Sequence, residues 1–187
     1  MAEDKKGKQE KAKAPSRAQR RRRRWVITGG IIVIAVAAVG YFAYRAVAEL
    51  PGAYVPDLGN THIQTFNEPH GAYNSDPPTS GPHMPYIAPW GIHTEPVPKE
   101  LQIHNLEDRG VMVQYNCPSR CPDLVEKLKI IVQAYKDEVI LAPYPGMKNR
   151  IALTAWTRID TFDDFDEGRI SRFIKAYRGI DHHKGRE

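Results

Sequence analysis

The chain is poor in cysteine, since Cys117 and Cys121 are the only two among its 187 residues. A four-cysteine zinc site is therefore excluded, and no two histidines have the H-E-x-x-H spacing of zinc proteases. The sequence also lacks the G-x-S-x-G pattern of a nucleophilic serine and the glycine-rich loops that bind phosphates. These absences leave a zinc protease, a serine hydrolase and a nucleotide-binding enzyme without support, and we name no catalytic residue.

Positive charge is concentrated at the start of the chain. Residues 1–24 hold eleven basic and three acidic side chains, whereas the other 163 residues carry a net charge of −3. This larger part has no basic stripe with interleaved aromatic residues, so we expect it not to bind nucleic acid. We interpret residues 1–24 as a basic, disordered cytoplasmic tail that sets the orientation of the segment that follows.

No charged residue occurs in the twenty positions from Trp25 to Tyr44. At about 1.5 Å per residue, a helix of this length spans the roughly 30 Å hydrocarbon core of a bilayer. We interpret residues 25–44 as an uncleaved transmembrane helix in the cytoplasmic membrane, with a cleavable signal peptide as the alternative. Because basic residues precede the span in large excess, we predict a cytoplasmic N-terminus and a C-terminal domain outside, in the periplasm if an outer membrane exists.

The chain after the predicted span has three parts of different composition. We interpret residues 45–68 as a connector, residues 69–180 as an extracytoplasmic domain and residues 181–187 as a polar tail. Eight of the fifteen prolines fall in residues 69–100, together with several aromatic side chains. This mixture predicts a long ordered loop that packs onto the domain, because free linkers usually lack aromatic residues.

Regular patterns occur in the second half of the chain. Short apolar runs predict strands, and apolar residues along one helical face predict helices. The predicted elements are a strand (110–115), a helix (122–136), two strands (138–146 and 151–159) and a helix (162–179). The order strand, helix, strand, strand, helix is typical of a small α/β domain. The succession of a strand, the stretch CPSRCP and a helix resembles the layout of thioredoxin-like copper chaperones, and this resemblance implies a thioredoxin-like character for the domain.

The two cysteines lie between a predicted strand and a predicted helix. A thiol just before a helix start meets the positive end of the helix dipole, which favours the thiolate needed for redox chemistry or for binding a soft metal. Cysteines four residues apart can equally form a disulfide, since their Cα atoms are about 6 Å apart in a helical turn. Metal-binding or redox-active thiols, a structural disulfide and unpaired inert cysteines therefore all remain open.

The stretch CPSRCPDL is similar to the Cys-x-x-x-Cys-Pro loop of the thioredoxin-like copper chaperones of cytochrome oxidase assembly. In that family two thiolates and a distant histidine bind copper, and this chain has seven histidines. His83 and Met84 lie in the turn GPHMP, where imidazole and thioether donors favour copper. The candidate metal ligands are Cys117, Cys121, His104, His83 and Met84, with the carboxylates of Glu107 and Asp108 as possible supporting groups.

A broader resemblance covers most of the predicted domain. The blocks that carry it are YNSDPPTSGPH, PVPKELQIHNLEDRGVMVQY, LAPYPGM and ALTAW, between residues 73 and 156. They resemble a family of bacterial membrane-anchored proteins catalogued as a domain of unknown function, DUF3105. The resemblance implies one N-terminal anchor and one α/β domain outside, and it implies no activity, substrate or cofactor. Where that family reads His-Asn-Leu-Glu-His-Gly, this chain has Asp108 and Arg109 before Gly110 and so lacks the second histidine.

Three functions follow as alternatives. The first is copper binding or handling, with copper as the cofactor and a metal-accepting protein or a membrane complex as the partner. The second is a non-catalytic accessory or interaction subunit of a membrane complex, in which Cys117 and Cys121 form a structural disulfide. The third is a thiol-disulfide oxidoreductase. The spacing Cys-x-x-x-Cys argues against it, because such enzymes usually have the shorter Cys-x-x-Cys.

Overall fold

The computed structural model describes residues 16–48 and 50–183. They belong to two separate units, one that ends at Glu49 and one that begins at Leu50. Residues 1–15 of the predicted cytoplasmic tail and residues 184–187 of the predicted polar tail lie outside the described residues.

The first unit contains a single helix, α1 (Arg17–Ala48). Its start is a capping box, because the Ser16 hydroxyl accepts from the Gln19 N–H and the Gln19 side chain accepts from the Ser16 N–H. Residues 17–24 of the predicted tail belong to this helix, in keeping with the high helix propensity of arginine. Among the described residues, α1 is the one helix long and apolar enough to cross a membrane, a property that anchors share with signal sequences.

The second unit is a mixed α/β domain, which confirms the predicted fold class. Its strands and helices, in chain order, are β1 (Ala53–Tyr54), β2 (Gly91–Ile92), α2 (Lys99–Glu107), β3 (Val111–Tyr115), α3 (Pro122–Gln133), β4 (Val139–Pro143), β5 (Ile151–Ala155), β6 (Arg158–Phe162) and α4 (Glu167–Tyr177). The strands form one six-stranded sheet in the order β1-β6-β5-β3-β4-β2.

Strand β3 lies inside the sheet and pairs with neighbours of both directions. It runs parallel to β4, with Val113 opposite Leu141, and antiparallel to β5, with Val113 opposite Leu153. Helix α3 makes the connection between the parallel strands β3 and β4, as parallel pairing requires a long crossover. Strands β5 and β6 pair antiparallel, and β6 in turn pairs antiparallel with the edge strand β1.

Each face of the sheet is covered, and alternate residues of the strands point to different cores. On one face Val111 and Val113 join a core with the apolar side chains of α3 and α4. On the other face Met112 and Ile140 join a core with α2 and with apolar residues of the proline-rich loop. Helix α2 and the loop therefore lie together on the face of the sheet opposite α3 and α4.

The proline-rich loop is ordered and packed, as its composition predicted. The side chain of Asn105 on α2 accepts from the N–H of Ala88 and donates to its carbonyl, both at 2.9 Å. The Tyr73 hydroxyl donates to the Pro82 carbonyl at 2.7 Å. Ala88 and Val97 are buried in the core beneath α2. The loop is therefore held in an ordered conformation beside the end of α2.

Several predicted elements differ from the structure. The predicted strand 151–159 holds β5 and only the start of β6, because Thr157 adopts a φ of 59° and turns the chain between them. Helix α4 begins at Glu167 and not at residue 162. Its start is capped by the Asp166 side chain, which accepts from the Arg169 N–H at 2.8 Å. Helix α2 was missed because it buries polar side chains along with apolar ones and so shows no amphipathic pattern.

Candidate metal centre

Helix α2 presents two ionisable side chains at its C-terminal end. His104 and Glu107 are three positions apart, so they lie on the same side of the helix. The Glu107 side chain is 0% exposed, and a fully buried carboxylate requires partners that compensate the loss of hydration. The surroundings of Glu107 therefore define the site.

A backbone bridge brings two further histidines to this carboxylate. His62, in the chain after β1, forms an isolated parallel bridge with His83 in the proline-rich loop. Its hydrogen bonds run from the Ile63 N–H to the His83 carbonyl at 2.8 Å and from the His83 N–H to the Thr61 carbonyl at 3.0 Å. Because main-chain bonds fix both segments, the two side chains have defined positions beside α2.

Three imidazole rings meet at this point. The ring centroids of His62 and His83 are 5.0 Å apart, those of His83 and His104 are 5.1 Å apart, and those of His62 and His104 are 5.2 Å apart. The indole of Trp156 packs edge-on against His83, with centroids 6.2 Å apart. His83 is fully buried, whereas the His62 side chain is 43% exposed, so the cluster has one side toward solvent.

The hydrogen bonds of the two buried histidines determine which nitrogen faces the cluster. The Nδ1 of His83 lies 2.7 Å from the carbonyl oxygen of Gly81, and the Nδ1 of His104 lies 2.8 Å from that of Met84. Since a carbonyl oxygen only accepts, each Nδ1 carries the hydrogen and donates it. In the neutral ring, Nε2 is then an unprotonated nitrogen with a free lone pair.

Like the ring nitrogens of the buried histidines, the two oxygens of Glu107 have different partners. Oε1 accepts a hydrogen bond from the Asn60 side-chain amide at 2.7 Å. Oε2 lies 3.0 Å from the Nε2 of His83 and 4.0 Å from the Nε2 of His62. One oxygen is therefore held by Asn60, and the other faces imidazole nitrogens.

Burial shifts the histidines toward their neutral form. Loss of hydration lowers the pKa of His83, although the Gly81 carbonyl and the charge of Glu107 oppose the shift. Loss of hydration likewise lowers the pKa of His104 against the opposing charge of Asp108. The Nε2 of His83 and the Oε2 of Glu107, 3.0 Å apart, require a proton or a cation between them, because two lone pairs at that distance repel each other. A cation bound between the two atoms makes this arrangement favourable.

The donor set fits a divalent transition metal. His62, His83, His104 and Glu107 each offer one donor atom, and the four atoms lie within 4.8 Å of one another. Zinc bonds of about 2.0–2.1 Å place tetrahedral donors roughly 3.4 Å apart, a value between the observed separations of 3.0 and 4.0 Å. Imidazole nitrogens whose other N–H donates to a carbonyl are the usual form of metal-binding histidine.

The structure does not bring the two cysteines to this cluster. Cys117 and Cys121 form a disulfide, with Cα atoms 5.8 Å apart, and they pack against the core shared with α3 and α4. They follow the C-terminal end of β3, whereas Glu107 precedes its N-terminal end, and the five residues of β3 span about 16 Å. The predicted ligand set that combined cysteine and histidine is therefore divided between opposite faces of the sheet.

Two further predicted residues, Met84 and Asp108, lie next to the histidine cluster, and one residue of the cluster was not predicted. Met84 is buried and provides its main-chain carbonyl to His104. Asp108 lies beside the cluster, with Oδ2 at 3.6 Å from the Nε2 of His104. The prediction missed His62, because its segment had been interpreted as a connector. The one available signal was the grouping of five of the seven histidines between residues 62 and 104.

Comparisons with known proteins identify the family. No curated protein and no solved structure matches the chain, so the thioredoxin-like character stays a prediction. A family model described as "Protein of unknown function (DUF3105)" matches residues 66–187, which include His83, His104 and Glu107. Because this match covers more than half of the chain, the protein belongs to the DUF3105 family.

Proposed function

We propose that the α/β domain binds one divalent transition-metal ion, with zinc as the reference ion, through His62, His83, His104 and Glu107. The observation that carries the proposal is the orientation of the donors. Each buried histidine has its Nδ1 held by a main-chain carbonyl, and the buried carboxylate has one oxygen held by Asn60. Such prior orientation lowers the ordering cost of binding an ion.

The donors that are present favour some metal ions over others. The copper hypothesis depended on thiolates, and both cysteines are in the disulfide. Imidazole and carboxylate donors favour divalent ions such as Zn²⁺ and Cu²⁺, whereas Cu⁺ prefers thiolates and thioethers. Copper remains a candidate ion in its divalent form, bound by histidines instead of cysteines.

The first experiment measures bound metal in the full chain purified in detergent. After loading with Zn²⁺ and removal of excess ion, we expect about one zinc per chain. The variant with Cys117→Ser and Cys121→Ser should retain it, because the disulfide lies on the other face of the sheet. Chains without bound zinc would contradict the proposal. Loss of zinc only in the double cysteine variant would assign the metal site to Cys117 and Cys121.

We also propose that this domain lies outside the cytoplasm. The apolar span from Trp25 to Tyr44 within α1 is preceded by eleven basic and three acidic residues, an excess that favours a cytoplasmic N-terminus. The disulfide between Cys117 and Cys121 supports the same orientation, since disulfides persist in oxidising compartments. In intact cells that are quenched with a membrane-permeant alkylating reagent, both cysteines should stay unlabelled until a reductant is added. Direct labelling of both thiols would place the domain in the cytoplasm.

The second candidate function is an interaction module of a membrane complex. Two observations favour it: the local disulfide, and a cleft of about 390 Å³ beside the proline-rich loop. The cleft is lined by Asp76, Pro96, Val97, Pro98, Lys99, Tyr144, Pro145 and Gly146. If the zinc measurement shows no bound ion, the histidine cluster is a buried polar network and this candidate replaces the first.

A further inference from the structure

The segment that follows α4 is attached along the end of α2. The Gly179 N–H donates to the Arg109 carbonyl at 2.9 Å, and the His182 N–H donates to the Glu107 carbonyl at 3.0 Å. Asp108 and Asp181 form an isolated antiparallel bridge between these bonds. The main chain therefore positions the residues after α4 directly beside the histidine cluster.

The side chain of His183 is arranged like those of the two buried histidines. Its Nδ1 lies 2.8 Å from Oδ1 of Asp181, and that carboxylate also accepts from the His183 N–H at 2.9 Å. Its Nε2 lies 3.4 Å from Oδ1 of Asp108 and 3.7 Å from Oε2 of Glu107. One ring nitrogen is thus held by Asp181, and the other faces carboxylates of the cluster.

His183 belongs to a second donor set that overlaps the first. The donor atoms of His104, Asp108 and His183 lie within 4.8 Å of one another. His104 is common to both sets, and its ring centroid is 6.1 Å from that of His183. A single Nε2 binds one ion at a time, so the shared ligand connects the two sets as alternative positions of the same ion.

The two positions differ in access to solvent. In the first set His83 and Glu107 are 0% exposed and only His62 is open to solvent, at 43%, whereas in the second set the side chains of His183 and Asp108 are 28% and 35% exposed. A chelator or acceptor protein can therefore reach an ion at the second position without displacing the fully buried donors first.

We propose that His183 and Asp108 form an outer station through which the metal enters and leaves the inner site. This inference rests on the proposed metal-binding function. In the transfer, the bond to His104 is kept, and the bonds to His62, His83 and Glu107 are exchanged for bonds to Asp108, to water and to the Nε2 of His183, which releases its proton to solvent as it binds. Each new bond uses a lone pair of the incoming donor, and the oxidation state of the ion does not change. Asp181 acts as a positioning residue for His183.

The test separates rate from affinity. The full chain in detergent is loaded with one equivalent of Zn²⁺ and mixed rapidly with a chromophoric chelator, and its equilibrium affinity is measured by competition. We expect His183→Ala to slow zinc release about tenfold, equivalent to about 1.4 kcal/mol in the barrier. Its equilibrium affinity should stay within about threefold of the wild type, a change of less than 1 kcal/mol. Asp181→Asn should slow release to a smaller extent.

The matched control is His93→Ala. His93 lies outside both donor sets, and its Nε2 bonds to the Pro89 carbonyl at 2.7 Å, so its removal should change neither quantity. An unchanged release rate in His183→Ala would overturn the inference and assign the exit to the exposed side of His62. A fall in affinity of about 100-fold would make His183 a permanent ligand, which also overturns it. A wild type that binds no zinc shows failure of the proposed function itself, before any variant is compared.

Discussion

Glu107→Gln should remove tight zinc binding from the full chain. In the wild type, saturating zinc at about 100 times Kd adds about 2.7 kcal/mol to the free energy of unfolding, which raises Tm by roughly 8 °C. The glutamine side chain has nearly the same shape and can still accept from Asn60. It lacks the negative charge that balances a divalent ion in a buried site, so we expect the zinc-dependent rise in Tm to disappear.

The control for this variant lies on the same helix. Glu100 is in the first turn of α2 and lies 3.9 Å from the His70 ring at a partly exposed position. Glu100→Gln removes the same charge from the same element and should keep the full zinc-dependent rise in Tm. Equal zinc responses in Glu107→Gln and Glu100→Gln would contradict the assignment of Glu107 as a ligand, whatever the stability of the two variants without metal.

Gly110→Ala should destabilise the domain by about 3 kcal/mol or more, because it overpacks a site that has no free space. A Cβ atom at position 110 would lie 2.3 Å from the carbonyl oxygen of Asn105 and 2.8 Å from the ring of Trp90. Neither neighbour can easily withdraw. That carbonyl accepts from the Gly110 N–H at 2.8 Å, and Trp90 packs against the core beneath α2. Thermal or denaturant unfolding of the variant measures the loss.

Gly71→Ala is the matched control, since a Cβ at residue 71 meets no atom within 4 Å. Its stability should stay within about 0.5 kcal/mol of the wild type, as is usual for surface substitutions. If Gly110→Ala and Gly71→Ala unfolded at the same temperature, the close contact between the end of α2 and the proline-rich loop would not exist in solution. The position of Glu107 would then also be in question, since it lies just before this contact.

The elements with strong apolar patterns were predictable from the sequence. Helix α3 and strand β3 are rich in apolar residues on the expected faces, and both were predicted within a few residues of their ends. Helix α2 was not predictable in the same way. It buries Gln102, His104, Asn105 and Glu107 because Gln102 bonds to strand β3 and the other three bond to the proline-rich loop, and these partners are distant in sequence.

The site shows the same limit. His83, His104 and Glu107 could be named in advance because short sequence blocks place them beside other donors. His62 and His183 could not, since their places depend on backbone bridges to residues in other segments. The cysteines were expected to bind metal because soft donors at a helix start suggest that chemistry, whereas in the structure they form a disulfide that packs against the core of α3 and α4.

The bridge between His62 and His83 has a further consequence for how the domain unfolds. An ion bound to His62 and Glu107 would cross-link two points forty-five positions apart in the chain. Loop-closure entropy grows with loop length, by about 0.6 kcal/mol for each doubling, so this cross-link restricts the unfolded chain more than the disulfide, which joins residues four positions apart. Loss of the ion would therefore loosen the segment after β1 and the proline-rich loop together, as one cooperative unit whose amide hydrogen exchange reports the metal content of the protein.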